Sequence, residues 1–382
     1  MLQRRLFAAL VVLVAAAVPL VGQEKDKNAK PGDKPADAAK PADTQKPKDA
    51  AKPADADKSK EAKPADTDKS KEAKSADKDK PKETAPAANG KVSLKWKLEK
   101  GKTFYQKMTT KTDQNMKIAG SEPKQTQNQT FYFSWTPLEQ KGDDWTIKQK
   151  IEGVAMEIDI GGTKINYDST KDAAANNPLG EFFKALVGSE FTLTLNSKDQ
   201  KVTKIEGREE FVKKLGAANP NMQALLNQIL SEQALREMAE PTFASVPNKE
   251  VAKGDKWTKE NTLDMGPIGK YTNSYTYTFE GPEGKLDKIK VDATLKYLPP
   301  DEKTGAAGLP FKIKSADLKS TGGSGSVLFD PEKGRVDRSS FKLDLNGDLN
   351  IEIGGQTTKV ELKQTQETTV ETSDTNPLQK KS

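Results

Sequence analysis

The stretch YTNSYTYTF, Tyr271 to Phe279, puts Tyr271, Asn273, Tyr275, Tyr277 and Phe279 on one parity, with Thr and Ser filling most of the other. A period of two is the side-chain repeat of a β-strand, with one face on a core and one in water. The same alternation recurs in VSLKWKLE, where Val92, Leu94, Trp96 and Leu98 share a face. It recurs at Ile289, Val291, Ala293, Leu295 and Tyr297, and again at Val360 and Leu362. Strands that are apolar on one face only are the mark of antiparallel sheets.

Turn chemistry fits this reading. Asn346-Gly347 within FKLDLNGDLNIEI predicts a two-residue hairpin. GPEG (Gly281 to Gly284) and DPEKG (Asp330 to Gly334) predict further turns.

One region departs from period two. Asn177-Pro178 predicts a short helix carrying Phe182, Phe183, Leu186 and Val187, with Asn as cap and Pro in the first turn. A second helix is predicted around Phe211, Val212 and Leu215. Asn219-Pro220 opens a third, in which Met222, Leu225, Leu226, Ile229 and Leu230 follow a 3.6-residue spacing and which runs on towards Met238. Between the first two lies a predicted hairpin, EFTLTLN with KVTKIEG. The expected fold class is mainly β (α+β): a large curved antiparallel sheet or open barrel with a few short helices, preceded by a disordered segment.

The chemistry open to the chain is narrow. Its 382 residues contain neither Cys nor His. Disulfides, thiolate nucleophiles, Cys or His metal sites and Ser-His-Asp relays are therefore excluded. No spacing of carboxylates singles out a general acid and base. DLNGDLN (Asp344 to Asn350) opens like a calcium loop, but Leu349 stands where such a loop needs Gly, and Gly355 where it needs Glu. GGSGS (Gly322 to Ser326) lacks the Lys-Ser or Lys-Thr that follows a phosphate cradle, and reads as a flexible strand connection. No cofactor is expected, and no catalytic or metal-binding residue is assigned.

The N-terminal part is of a different kind. MLQRRLFAALVVLVAAAVPLVG (1–22) has the positive start, apolar run and small residues of a secretory signal peptide. Residues 23–90 contain no Leu, Ile, Val, Met, Phe, Tyr or Trp. They repeat an eleven-residue phrase as AKPADADKSKE (51–61), AKPADTDKSKE (62–72) and AKSADKDKPKE (73–83). An eleven-residue period can mark a helical supercoil, but only with an apolar stripe, and Pro53, Pro64 and Pro81 would break a helix. With 17 Lys against 15 acidic residues evenly mixed, and no aromatic side chain, the segment offers no sustained positive field for nucleic acid. It reads as a disordered polyampholyte spacer of low complexity. The expected organisation is a signal peptide (1–22), a spacer (23–90) and an exported mainly β domain (91–382) with a helical insertion at about 172–240.

LKWKLEKGKTFYQKM (Leu94 to Met108), SVPNKEVAKGDKW (Ser245 to Trp257) and GSGSVLFDPEKGRV (Gly323 to Val336) resemble an uncharacterised family of exported, planctomycete-type bacterial proteins catalogued as a domain of unknown function. The resemblance implies export and a mainly β fold, and brings no catalytic residues. In layout alone, a sheet around helices is similar to periplasmic lipoprotein carriers.

The first functional expectation is a non-enzymatic cell-envelope module in the periplasm or outside the cell, held on the spacer and binding a protein or envelope polymer. A membrane would be a partner only if the signal stayed uncleaved. The alternative is a carrier or sensor of an apolar, lipid-like ligand inside the curved sheet. Its candidate lining is Tyr271, Tyr275, Tyr277, Phe279, Leu226 and Ile229, with the helix from Pro220 to Met238 as a lid. Ordinary core packing accounts for the same six residues. A carboxylate-based hydrolase is a third reading.

Overall fold

The computed structural model describes residues 90–171, 178–301 and 309–379. The signal segment, the repeats and the Asn177 cap lie outside the described residues. In chain order come β1 (Lys91–Leu94), β2 (Phe104–Ile118), β3 (Lys124–Lys141), β4 (Asp144–Ile160) and β5 (Thr163–Asp168). Helix α1 (Pro178–Leu186), the hairpin β6 (Glu190–Asn196) and β7 (Val202–Glu206), and helices α2 (Arg208–Ala218), α3 (Gln223–Ile229), α4 (Glu232–Ala239) and α5 (Pro241–Ala244) follow. The chain returns to strands with β8 (Lys249–Ala252), β9 (Lys256–Asp264), β10 (Lys270–Glu283), β11 (Leu286–Leu298), β12 (Lys312–Asp330), β13 (Arg335–Ile353) and β14 (Gln356–Ser373).

Twelve strands form one antiparallel sheet in the order β7-β6-β4-β3-β2-β14-β13-β12-β11-β10-β9, with β5 beside the far end of β4. β1 pairs only with β8. The first long strand meets the last: β2 pairs with β14 from Tyr105–Ser373 to Ile118–Val360. This single pairing joins the two halves of the sheet, and it spans most of the folded sequence.

The period-two reading holds in the segments that showed it. Asn273, Tyr275, Tyr277 and Phe279 are buried, as are Ile289 to Tyr297 on their parity and Val360 and Leu362. In VSLKWKLE the alternation of burial continues to Leu98, although only Lys91–Leu94 is a strand. The hairpin β6–β7 and the helix around Phe211 form as expected.

Four local expectations are corrected. Asn346-Gly347 is not a turn: β13 runs through it, and Gly347 pairs with Leu318 on one side and Leu362 on the other. The hairpin falls later, at Gly354-Gly355, where both residues have positive φ. GGSGS is not a connection either, since it lies inside β12, where Gly323 and Gly325 lie against Phe341. In GPEG the turn is displaced to Gly284-Lys285, and Gly281 marks a bulge in β10. The predicted helix from Pro220 to Met238 is broken after α3; Ser231 accepts the backbone N–H of Ala234 at 3.1 Å and starts α4.

Strands of up to 19 residues cannot stay flat, because each carries the intrinsic right-handed twist. Bulges at Thr321, between Asp292 and Lys296, and beside Phe133 bend the strands, increase the local twist and curl the sheet. The apolar parity then faces inward. Helix α5 sits against it: Phe243 is edge-on to Trp135 at 5.6 Å and to Trp96 at 5.3 Å, and Trp96 Nε1 donates to the Phe243 carbonyl at 3.0 Å.

The end strands β7 and β9 do not pair, so the sheet is not closed. Helix α4 lies in the seam. Arg236 donates to the Thr203 carbonyl of β7 at 3.0 Å, and Asn261 of β9 donates to the Glu237 carbonyl at 3.2 Å. The carboxylates of Glu237 and Glu240 take backbone hydrogen bonds from Asp264 and Val202, one on each edge. Polar groups at a sheet edge need partners or cover, and α4 supplies both.

Candidate ligand-binding site

Away from α5, the curl of β2, β14, β13, β12, β11, β10 and β9 leaves a cavity of about 120 Å³. Its wall is apolar over most of its extent, built from inward-parity residues such as Met116, Leu263, Leu295, Ile313, Leu345, Ile351 and Leu362. Ile268 and Phe311 come from the connecting segments. None of the wall residues is acidic or basic. Tyr297 donates its hydroxyl to the Ile268 carbonyl at 2.7 Å, and burial pushes that hydroxyl's pKa far above its ordinary value. A dry apolar cavity of about 150 Å³ is known to accept benzene, whereas whole small molecules take roughly 300–1,000 Å³. This space suits one ring or a short alkyl segment.

Of the six residues expected to line a ligand site, Tyr271 is on the wall, its ring 5.0 Å from that of Tyr297. The other five are placed in solid packing. Tyr277 stacks between Trp257 at 5.6 Å and Tyr275 at 6.1 Å, and Phe279 is buried beyond them. Leu226 and Ile229 are fully buried on α3, which packs against the 266–268 turn and contributes no wall residue.

The sequence reading missed a polar patch on the inner face. Register places Gln129, Thr110 and Thr368 side by side across β3, β2 and β14. The next row is Gln127, Thr112 and Gln366, and the next is Gln125, Gln114 and Gln364. All but Gln364 are buried, and Gln114, Gln364 and Gln366 reach the cavity wall. Thr110 and Thr368 share a hydrogen bond at 3.3 Å, but six other atoms of the patch are unmatched. Oε1 of Gln125, Gln127 and Gln129, Nε2 of Gln129 and Gln366, and the Thr112 hydroxyl have no partner within the protein. Gln114 and Gln127 point their amide nitrogens at the thioethers of Met116 and Met156, which are weak acceptors. A buried polar group without a partner costs roughly 1–3 kcal/mol, so a cluster of this size is a substantial local expense. The signal lay in phase: in KQTQNQTF the glutamines share parity with Phe131, and Thr110, Thr112 and Gln114 share it with Met108 and Met116.

Carboxylates with raised pKa values lie elsewhere. Burial raises Glu237 on α4, Glu240 just after it, and Asp287 at the start of β11. None of the three is on the cavity wall. Among the described residues no cluster of three acidic side chains could hold a metal, and no helix is long and apolar enough to cross a membrane.

Fold and cavity together define an open antiparallel sheet curled around short helices, with an uncharged internal pocket. The chain belongs to a family of unknown function, DUF6263, whose profile matches residues 142–336. That span includes SVPNKEVAKGDKW and GSGSVLFDPEKGRV, while LKWKLEKGKTFYQKM precedes it. No curated protein matches the chain.

Among solved structures it is similar to OpdQ of Pseudomonas aeruginosa at 5% identity and TM-score 0.19, covering 71% of this chain and 98% of that one. OpdL of the same organism gives 7% identity and TM-score 0.20, again over 71% and 98%. The translocator domain of the autotransporter NalP from Neisseria meningitidis gives 6% and 0.18, over 72% and 88%. Scores at this level carry no argument about architecture or function.

Proposed function

We propose that this is an exported, non-enzymatic binding module of the cell envelope, carried on the repeat spacer, whose ligand is an apolar group seated in the curled sheet. The observation behind the reading is the cavity beside Tyr271 and Tyr297, whose wall contains no charged side chain. Apolar burial contributes about 25 cal/mol per Å², and an uncharged wall imposes no ionic requirement on its guest. The signal-like residues 1–22 support export.

Calorimetric titration of the full chain with the neutral apolar probe benzene, followed by displacement with short alcohols, tests the reading. Leu345→Trp, which fills the cavity, should weaken probe binding at least tenfold. Equal binding by both proteins would refute it, as would turnover of an envelope substrate by the purified chain. N-terminal sequencing of exported protein checks the leader separately.

A further inference from the structure

The polar patch carries a second inference, which rests on the cavity reading and names the chemistry of the rest of the ligand. We infer that the rows formed by Gln129, Gln127 and Gln125, across β2 to Gln366, are a subsite for an uncharged, hydroxyl-bearing group. The apolar part of the same molecule would fill the adjoining cavity.

The unmatched atoms are of both kinds. Three are carbonyl acceptors, two are amide donors, and the Thr112 hydroxyl can be either. An acceptor-only group such as a phosphate would leave the carbonyls unanswered. A donor-only ammonium would leave the amide N–H groups unanswered. Hydroxyls donate and accept, so a polyhydroxylated ring answers both sets whichever way the amides turn.

The patch spans about 10 Å between its outer strands and roughly 14 Å along them; Gln114, Gln364 and Gln366 are its residues on the cavity wall. The amides are also held in place: Gln125, Gln127 and Gln129 retain at most 3% of their surface, and a long side chain ordered in advance loses little entropy on binding. The three wall glutamines make the patch continuous with the cavity.

Calorimetry on the full chain with n-hexyl β-glucoside, hexanol, free glucose, hexyl phosphate and hexylammonium tests this. The glucoside should bind at least tenfold tighter than hexanol and than either charged amphiphile. Gln366→Leu and Gln127→Leu should weaken the glucoside at least tenfold while leaving hexanol within twofold. Each variant removes one orphaned amide atom, Gln366 Nε2 or Gln127 Oε1, so the melting temperature should hold or rise. Should either fail to fold, Gln114→Met provides the same comparison.

Hexanol binding with no gain from the sugar, in wild type and variants alike, would show that the patch holds only water and overturn this inference alone. No binding by hexanol or glucoside would overturn the cavity reading as well. Binding of free glucose as tight as that of the glucoside would keep the sugar subsite and overturn the apolar one. Binding of the glucoside but not of glucose identifies the head of an amphiphile as the source.

Discussion

Gly347 shows how one residue can mean opposite things locally and globally. Asn-Gly is a strong hairpin signal because both positions tolerate positive φ, yet here the chain continues straight. The missing side chain is used for close approach instead: a Cβ at Gly347 would sit 2.0 Å from the Asp317 carbonyl oxygen. Gly347→Ala should therefore displace β12 from β13 and cost about 1–3 kcal/mol, measurable by urea unfolding. A loss below a few tenths would show that the strand has room.

Asp287 is the second instructive residue. It is 4% exposed and its Oδ2 has no partner, and burial raises its pKa. Between the ordinary carboxylate pKa and the raised one, the folded chain holds a proton that the unfolded chain has released. Stability must then fall as pH rises through that window. Asp287→Asn should melt higher than wild type at pH 7 and at the same temperature at pH 3, as read by thermal unfolding at the two pH values.

At the scale of elements, α4 acts as a substitute for a missing strand pairing. The carboxylates of Glu237, on α4, and Glu240, just after it, accept from backbone groups of β9 and β7, the two end strands that do not pair with each other. Replacing both with Ala should cost about 1–3 kcal/mol for each amide left unmatched. Hydrogen exchange should accelerate at Asp264 and Val202 before it does at the centre of β13. Uniform acceleration across the sheet would mean that α4 is ordinary core cover.

The helices were legible as helices because Phe182, Leu186, Leu225 and Ile229 repeat at 3.6-residue spacing. Their roles were not. Amphipathic spacing says that a face is covered, without saying by what, and α3 proved to be packed against the 266–268 turn instead of lying over a cavity.

At the scale of the whole molecule, the repeat spacer and the sheet divide the chain into two kinds of sequence. Residues 23–90 have no apolar side chain larger than Pro to contribute to a core. A chain lacking residues 25–86 should keep its melting temperature within about 1 °C and its affinity for the cavity probe within twofold. A larger change in either would show that the segment takes part in the fold or the site.

The sequence by itself determined that the folded part is β-rich and antiparallel, that the N-terminal region cannot build a core, and that no thiol or imidazole chemistry is available. Each of these follows from composition or from a period of two, which a few neighbouring residues are enough to display. Only the tertiary structure decided that Gly347 lies within a strand, that β2 meets β14, and that α4 fills the seam. It also brought the glutamines of β3, the threonines of β2 and Gln366 together beside an apolar cavity. The reason is physical: alternation is a local property of the chain. Curvature and register come from the pairing of whole strands, from neighbours such as β2 and β3 to partners as distant as Tyr105 and Ser373, and they decide which polar side chains end up without water.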